Sequence, residues 1–132
     1  MKKKIVFTGG SGRFAKVFKK ITNKEKIYFP TKKELNIENF NSITRYLDIV
    51  KPTYLIHTAA LSRPMNIHEK NITKSINTNI IGTANIVKAC QKNNIKLIYF
   101  STNYVYQGTS GNYKETDPVL PINNYAISKF GG

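Results

Sequence analysis

Apolar residues follow two rhythms along this chain. Short apolar runs occur at Ile5-Val6-Phe7, Ile27-Tyr28-Phe29, Tyr54-Leu55-Ile56 and, interrupted only by Lys96, Ile95 to Phe100. Runs of this kind, bounded by turn residues, predict strands buried on both faces of a parallel sheet. Between them, apolar residues recur every three or four positions, which predicts helices. Val17, Phe18 and Ile21 mark the first helix, and Phe40, Ile43, Leu47 and Val50 mark a second, ended by Lys51-Pro52. A long helical pattern runs from Ile72 to Asn93, with Ile76, Ile80, Ala84, Val87 and Cys90 on one face and a break near Gly82. A last helix starts between Ile122 and Lys129, and Leu35-Asn36-Ile37 reads as a very short additional strand. Strands alternating with helices predict a doubly wound α/β fold, with a parallel sheet, helices on both faces and right-handed crossovers.

The junction after the first strand carries the chemistry. Gly9-Gly10-Ser11-Gly12-Arg13-Phe14-Ala15 joins the apolar run to the first helix. A tight turn needs a residue free to take positive φ, and a pyrophosphate needs backbone without a Cβ in its way. The helix N-terminus beyond offers unpaired N–H groups and the positive end of a dipole. Together these features describe a dinucleotide site of the Rossmann type. Two registers fit: Gly10, Gly12 and Ala15, or Gly9, Gly12 and Ala15.

The next strand is stopped by Pro30. A Rossmann site for NAD expects an acidic residue about 20 residues beyond the glycines, to hold the ribose 2′-hydroxyl. This chain has Pro30-Thr31-Lys32-Lys33 there, and cations in place of a carboxylate favour a 2′-phosphate. The expected cofactor is therefore NADP(H), with NAD(H) as the alternative, and Arg13 is placed to assist. The strand at residues 53–60 closes on Thr58, Ala59 and Ala60, small enough for a cofactor to lie close. His57 reads as a satisfied strand-end histidine.

Composition narrows the picture. The 132 residues suffice for one domain with a real core. With 40% hydrophobic and 21% charged residues the chain reads as globular, and no apolar run reaches the length of a membrane span. Glycines and Arg13 interrupt any signal-like segment after the basic start Met1-Lys2-Lys3-Lys4. The single Cys90 permits no internal disulfide and falls in a helical pattern. No metal site is read from the sequence, no membrane partner is expected, and the expected location is the cytoplasm. A net charge of +14 raises nucleic-acid binding, but the lysines are spread evenly and form no basic stripe interleaved with aromatics. No nucleic-acid partner is therefore expected.

Several separated stretches share one pattern: the glycine turn, His57-Thr58-Ala59-Ala60, Asn79 to Asn85, Ser101-Thr102-Asn103-Tyr104-Val105-Tyr106 and Tyr125-Ala126-Ile127-Ser128-Lys129. Together they resemble the extended short-chain dehydrogenase/reductases, which act on nucleotide sugars. Ser101 to Gly108 and Gly111 to Pro118 look most like the dTDP-4-dehydrorhamnose reductases. The resemblance covers residues 1–132 as a cofactor-binding Rossmann domain, equivalent to the N-terminal half of a family member. It implies a fragment truncated before a C-terminal substrate domain, and a longer protein that forms a homodimer.

The resemblance also implies roles. Tyr125 would be the general acid that protonates a carbonyl oxygen as hydride arrives. A phenol ordinarily ionises near pH ~10, so a neighbouring ammonium is needed to ease proton loss. Lys129, one helical turn on, would supply it and hold the nicotinamide ribose. Thr102 would orient the substrate oxygen, or else satisfy a strand-end backbone group. Gly9, Gly10, Ser11, Gly12, Arg13, Phe14, Thr31, Lys32, Ala59, Ala60 and Asn79 would bind cofactor, along with Tyr125 and Lys129. Asn103, Gln107 and Asn36 depart from the reductase pattern. The implied activity is NADP(H)-dependent reduction of a 4-keto nucleotide sugar. Its rivals are an NAD-dependent epimerase or dehydratase on the same scaffold, and a silent NADP-binding regulatory subunit.

Overall fold

The computed structural model describes residues 3–22 and 26–132; Met1 and Lys2 of the basic start lie outside the described residues. Four parallel strands form one sheet: β1 (Lys4–Thr8), β2 (Lys26–Tyr28), β3 (Tyr54–His57) and β4 (Lys96–Tyr99), in the order β2-β1-β3-β4. The chain leaves β1 for β2 through α1 (Arg13–Ile21). It then returns through α2 (Phe40–Val50) to β3 on the opposite side of β1. This reversal opens a crevice at the carboxyl ends of β1 and β3, the place where open α/β sheets bind ligands.

At β1 the sheet is covered on both faces, with Val6 and Phe7 fully buried, whereas Ile98 of β4 is about half exposed. Successive side chains of β1 point in opposite directions. Val6 joins Ile43 and Leu47 of α2, Leu55 of β3 and Ile86 of the long helix in the main core. Phe7 points the other way, with ring centroids 5.7 and 5.2 Å from Phe14 and Phe18 of α1 and 5.2 Å from Phe29. The ends of α2 follow local chemistry. Asn39 Oδ1 accepts from Ser42 N at 3.0 Å, and Lys51 takes a left-handed conformation (φ 48°) before Pro52.

Two expectations fail. Leu35-Asn36-Ile37 forms no strand; its backbone is used in turns, with Leu35 N bonded to Thr31 O, Asn39 N to Asn36 O and Asn36 N to Ser42 Oγ. Leu35 and Ile37 still bury their side chains, which accounts for the misleading apolar pattern. The second failure concerns residues 72–92, which run as one unbroken helix: α4 (Ile72–Ser75), a π-helical stretch (Ile76–Ile81) and α5 (Gly82–Lys92). Gly82 marks close packing rather than a break, since a Cβ there would lie 2.8 Å from Ile37 Cδ1. The buried stripe is Ser75, Asn79, Thr83, Ile86, Ala89 and Cys90, whereas Ile76, Ala84 and Val87 are exposed. Polar side chains outcompete isoleucines for the interior because a hydrogen-bond network receives them there.

The remaining elements are a short α3 (Ile67–Lys70), a 3-10 turn (Asn103–Val105) and α6 (Asn124–Gly131), which Asn123 caps through Ala126 N at 2.8 Å. No helix among the described residues is long and apolar enough to cross a membrane.

Candidate active site

The glycine turn is built by steric necessity. Gly9 has φ +74°, and a Cβ on it would lie 2.9 Å from Thr58 Oγ1 and 3.0 Å from Ala59 N. Gly10 lets the end of β2 approach, since its Cβ would lie 2.8 Å from the Phe29 carbonyl. Gly12 N donates to Gly9 O at 2.8 Å and closes the turn, and Ala15 packs fully buried behind it. The backbone thus gives the tight-turn role to Gly9 and selects the register Gly9, Gly12, Ala15.

In front of this turn lies a cleft of about 600 Å³. Gly9 to Phe14 form one wall, and Thr58, Ala59 and Ala60 at the end of β3 form the floor. Lys32, Asn36 and Glu38 enter from the segment after β2, and Arg63, Lys74 and Thr78 from the far side. Four cations therefore face one carboxylate. Glu38 Oε1 is engaged, 3.4 Å from Lys32 Nζ and accepting from Thr78 Oγ1 at 2.8 Å. Glu38, Arg63 and Lys74 were not singled out from the sequence, because no motif marks them and only the turns after Thr31 and the loop after β3 bring them here. Thr31 does not line the cleft. Its N–H and hydroxyl both donate to Glu34 Oε2, at 2.7 and 2.9 Å, so it caps the local turn instead.

Beneath the cleft floor runs a buried polar chain. Thr8 Oγ1 accepts from the N–H groups of Thr58 and Ala59, both at 3.3 Å, and lies 2.7 Å from His57 Nδ1. His57 Nε2 lies 3.2 Å from Thr83 Oγ1, whose hydroxyl donates to Asn79 O at 2.7 Å. Thr83 must then accept from His57, so His57 carries its proton on Nε2 and Thr8 donates to Nδ1. Burial, with the Lys129 charge adding to it, pushes the His57 pKa down to about 4 and keeps the ring neutral. His57 is therefore a satisfied strand-end residue, as its position suggested.

Asn79 ends this chain and does not line the cleft. Its Oδ1 accepts from Leu61 N at 2.8 Å, while Nδ2 donates to Leu61 O at 2.9 Å and Ser128 Oγ at 2.8 Å. These three bonds to protein partners pin the loop after β3 to α6.

Thr102, Tyr125 and Lys129 stand where β4 and α6 meet. Lys129, 4% exposed, donates from Nζ to Phe100 O at 2.9 Å and sits 4.3 Å above the Tyr99 ring. Burial lowers its pKa to about 8, so it is charged at neutral pH and loses its proton in mild alkali. Tyr99 Oη donates to Lys129 O at 3.0 Å, a second tie between α6 and β4. Thr102 Oγ1 accepts from Tyr104 N at 3.3 Å and starts the 3-10 turn, whose Tyr104 packs edge-on against Tyr125 at 5.7 Å. The structure thus ties Lys129 of α6 to the end of β4 through Phe100 O, and brings Tyr125 against the turn that Thr102 opens through Tyr104.

A family profile described as RmlD substrate binding domain matches residues 2–132. The chain belongs to this family. Its sequence is 27% identical over 98% of its length to a dTDP-4-dehydrorhamnose reductase of Aggregatibacter actinomycetemcomitans, covering 45% of that protein. It is also 31% identical, over 74% of its length, to methionine adenosyltransferase 2 subunit beta of Xenopus laevis, covering 29% of that protein. Among solved structures, the dTDP-4-dehydrorhamnose reductase of Bacillus anthracis in complex with NADP superposes with a TM-score of 0.92 at 31% identity. That match covers 99% of this chain and 47% of the other. The chain thus spans less than half the length of these relatives.

Proposed function

We propose that these residues form the cofactor half of an NADP(H)-dependent reductase acting on a 4-keto nucleotide sugar, the turnover belonging to a longer protein that carries them. The observation that carries this reading is the joining of two features on one sheet. A glycine-built, cation-rimmed cleft sits at the switch point, and a tyrosine–lysine pair on α6 is anchored to the neighbouring strand end.

The residues fit the cofactor. The cleft in front of Gly9, Gly10 and Gly12 has room for a pyrophosphate, with Arg13 beside it at the start of α1. Lys32 at the far end suits a 2′-phosphate, whose binding draws it away from its single contact with Glu38. NADPH, when bound, supplies the hydride. Tyr125 then donates its phenolic proton to the substrate oxygen, Thr102 orients that oxygen, and the Lys129 ammonium stabilises the phenolate left behind. The test is oxidation of NADPH by the full-length protein with a dTDP-4-keto-6-deoxy sugar as substrate, against a Tyr125→Phe variant.

A second reading draws on the likeness to methionine adenosyltransferase 2 subunit beta: an NADP-binding regulatory subunit that performs no reduction. It predicts that Tyr125→Phe leaves every function intact. The retention of Thr102, Tyr125 and Lys129 together favours the reductase.

A further inference from the structure

The short helix α3 docks on the first turn of α6, and it does so through two side chains. Glu69 Oε2 accepts from Asn124 Nδ2 at 2.6 Å. Next to it, the His68 imidazole lies 5.0 Å from the Tyr125 ring, centroid to centroid, with the planes tilted by 57°. His68 is 1% exposed, and its Nδ1 lies 2.7 Å from the hydroxyl of the fully buried Ser75. Its Nε2 is also buried and has no hydrogen-bond partner. A buried polar atom left in this way calls for an explanation.

The neighbouring ring supplies one. An aromatic face is electron-rich, so a bare nitrogen lone pair set against it is repelled, whereas an N–H is attracted. The hydroxyl of Ser75 is free to rotate and donate to Nδ1, which leaves the proton on Nε2. Burial disfavours a second proton on the ring, against the opposing pull of Glu69. We propose that His68 is a positioning residue for Tyr125: a neutral imidazole, tethered by Ser75, that sets its Nε2–H against the Tyr125 ring and fixes the direction of the phenol. The positioning role in catalysis rests on the reductase reading; the contact itself does not.

The test has two arms on the full-length protein. Nitrogen NMR of the imidazoles isolates His68 as the resonances lost in His68→Phe. The expected state near neutral pH is the neutral Nε2–H tautomer, with resonances that move in Tyr125→Leu. An Nδ1–H tautomer, or resonances indifferent to Tyr125→Leu, would overturn the proposal. In kinetics, His68→Phe keeps the ring but loses the N–H. We expect kcat to fall about tenfold with KM little changed, and partial recovery in His68→Gln; the double variant His68→Phe/Ser75→Ala, which leaves no stranded hydroxyl, should show the same loss of kcat. An unchanged kcat in His68→Phe would overturn it equally. If the wild type reduces no keto sugar, the reductase reading fails, while the NMR arm still decides the contact.

Discussion

Asn79 and Ser128, 49 positions apart in sequence, share a buried hydrogen bond of 2.8 Å that ties the long helix to the helix carrying Tyr125 and Lys129. The same amide holds both backbone groups of Leu61. Replacing Asn79 with Ala strands these partners in the interior, where an unsatisfied polar group costs about 1–3 kcal/mol. Asn79→Ala should destabilise the fold by about 2–4 kcal/mol in urea unfolding, and Ser128→Ala by about 1 kcal/mol. Equal, negligible losses would refute the clamp.

The glycines make a graded prediction. Gly9 and Gly108 both have positive φ, at 74° and 83°, but only Gly9 is crowded, with Thr58 and Ala59 against its Cβ position. Gly108→Ala should therefore cost only the backbone term of about 1 kcal/mol. Gly9→Ala should cost more and also abolish stabilisation by NADPH. Equal melting temperatures in the two variants would argue against the packing described.

Much of the fold was legible because strand and helix rhythms are set by burial on a sheet, and apolar runs report burial directly. The strands β1, β3 and β4 follow from that signal, and the crevice at Gly9 from the glycine turn. Misreadings occurred where polar atoms decide. Ser75, Asn79 and Thr83 displace Ile76 and Val87 from the interior because His68, Ser128 and His57 await them across sequence distances that no local pattern reveals. Thr31 is polar and correctly spaced for a cofactor contact, yet Glu34 captures it three residues on. Glu38 was invisible for the converse reason: with no strand at Leu35-Asn36-Ile37, turns fold it back toward Lys32.

Acid should weaken the fold through His57. Its folded pKa, about 4, lies below the ordinary value of 6.5, so the unfolded chain binds the extra proton between these values. Stability from this group is fully present above about pH 6.5 and is lost as pH falls towards 4, by up to about 3 kcal/mol. His57→Gln should flatten this part of the stability–pH curve. A slope identical to wild type would place the titration elsewhere.

Lys129 predicts the alkaline limb of turnover. With its pKa lowered to about 8, the Lys129 ammonium disappears in mild alkali, and with it the support that the proposed reaction asks of it for the Tyr125 phenolate. The kcat of the full-length enzyme should decline through that range, and Lys129→Met should remove most activity, by roughly 10²-fold or more. A flat profile up to strongly alkaline pH would contradict the role given to this residue.

The central claim is an NADP(H) cleft at the Gly9 turn. Its most direct test is a thermal-shift titration of these 132 residues with NADPH and NADH in parallel, because a ligand that binds only the folded state raises the melting temperature. The account predicts a clear rise with NADPH, a smaller one with NADH, and loss of the difference in Lys32→Ala. No shift with either cofactor would contradict it.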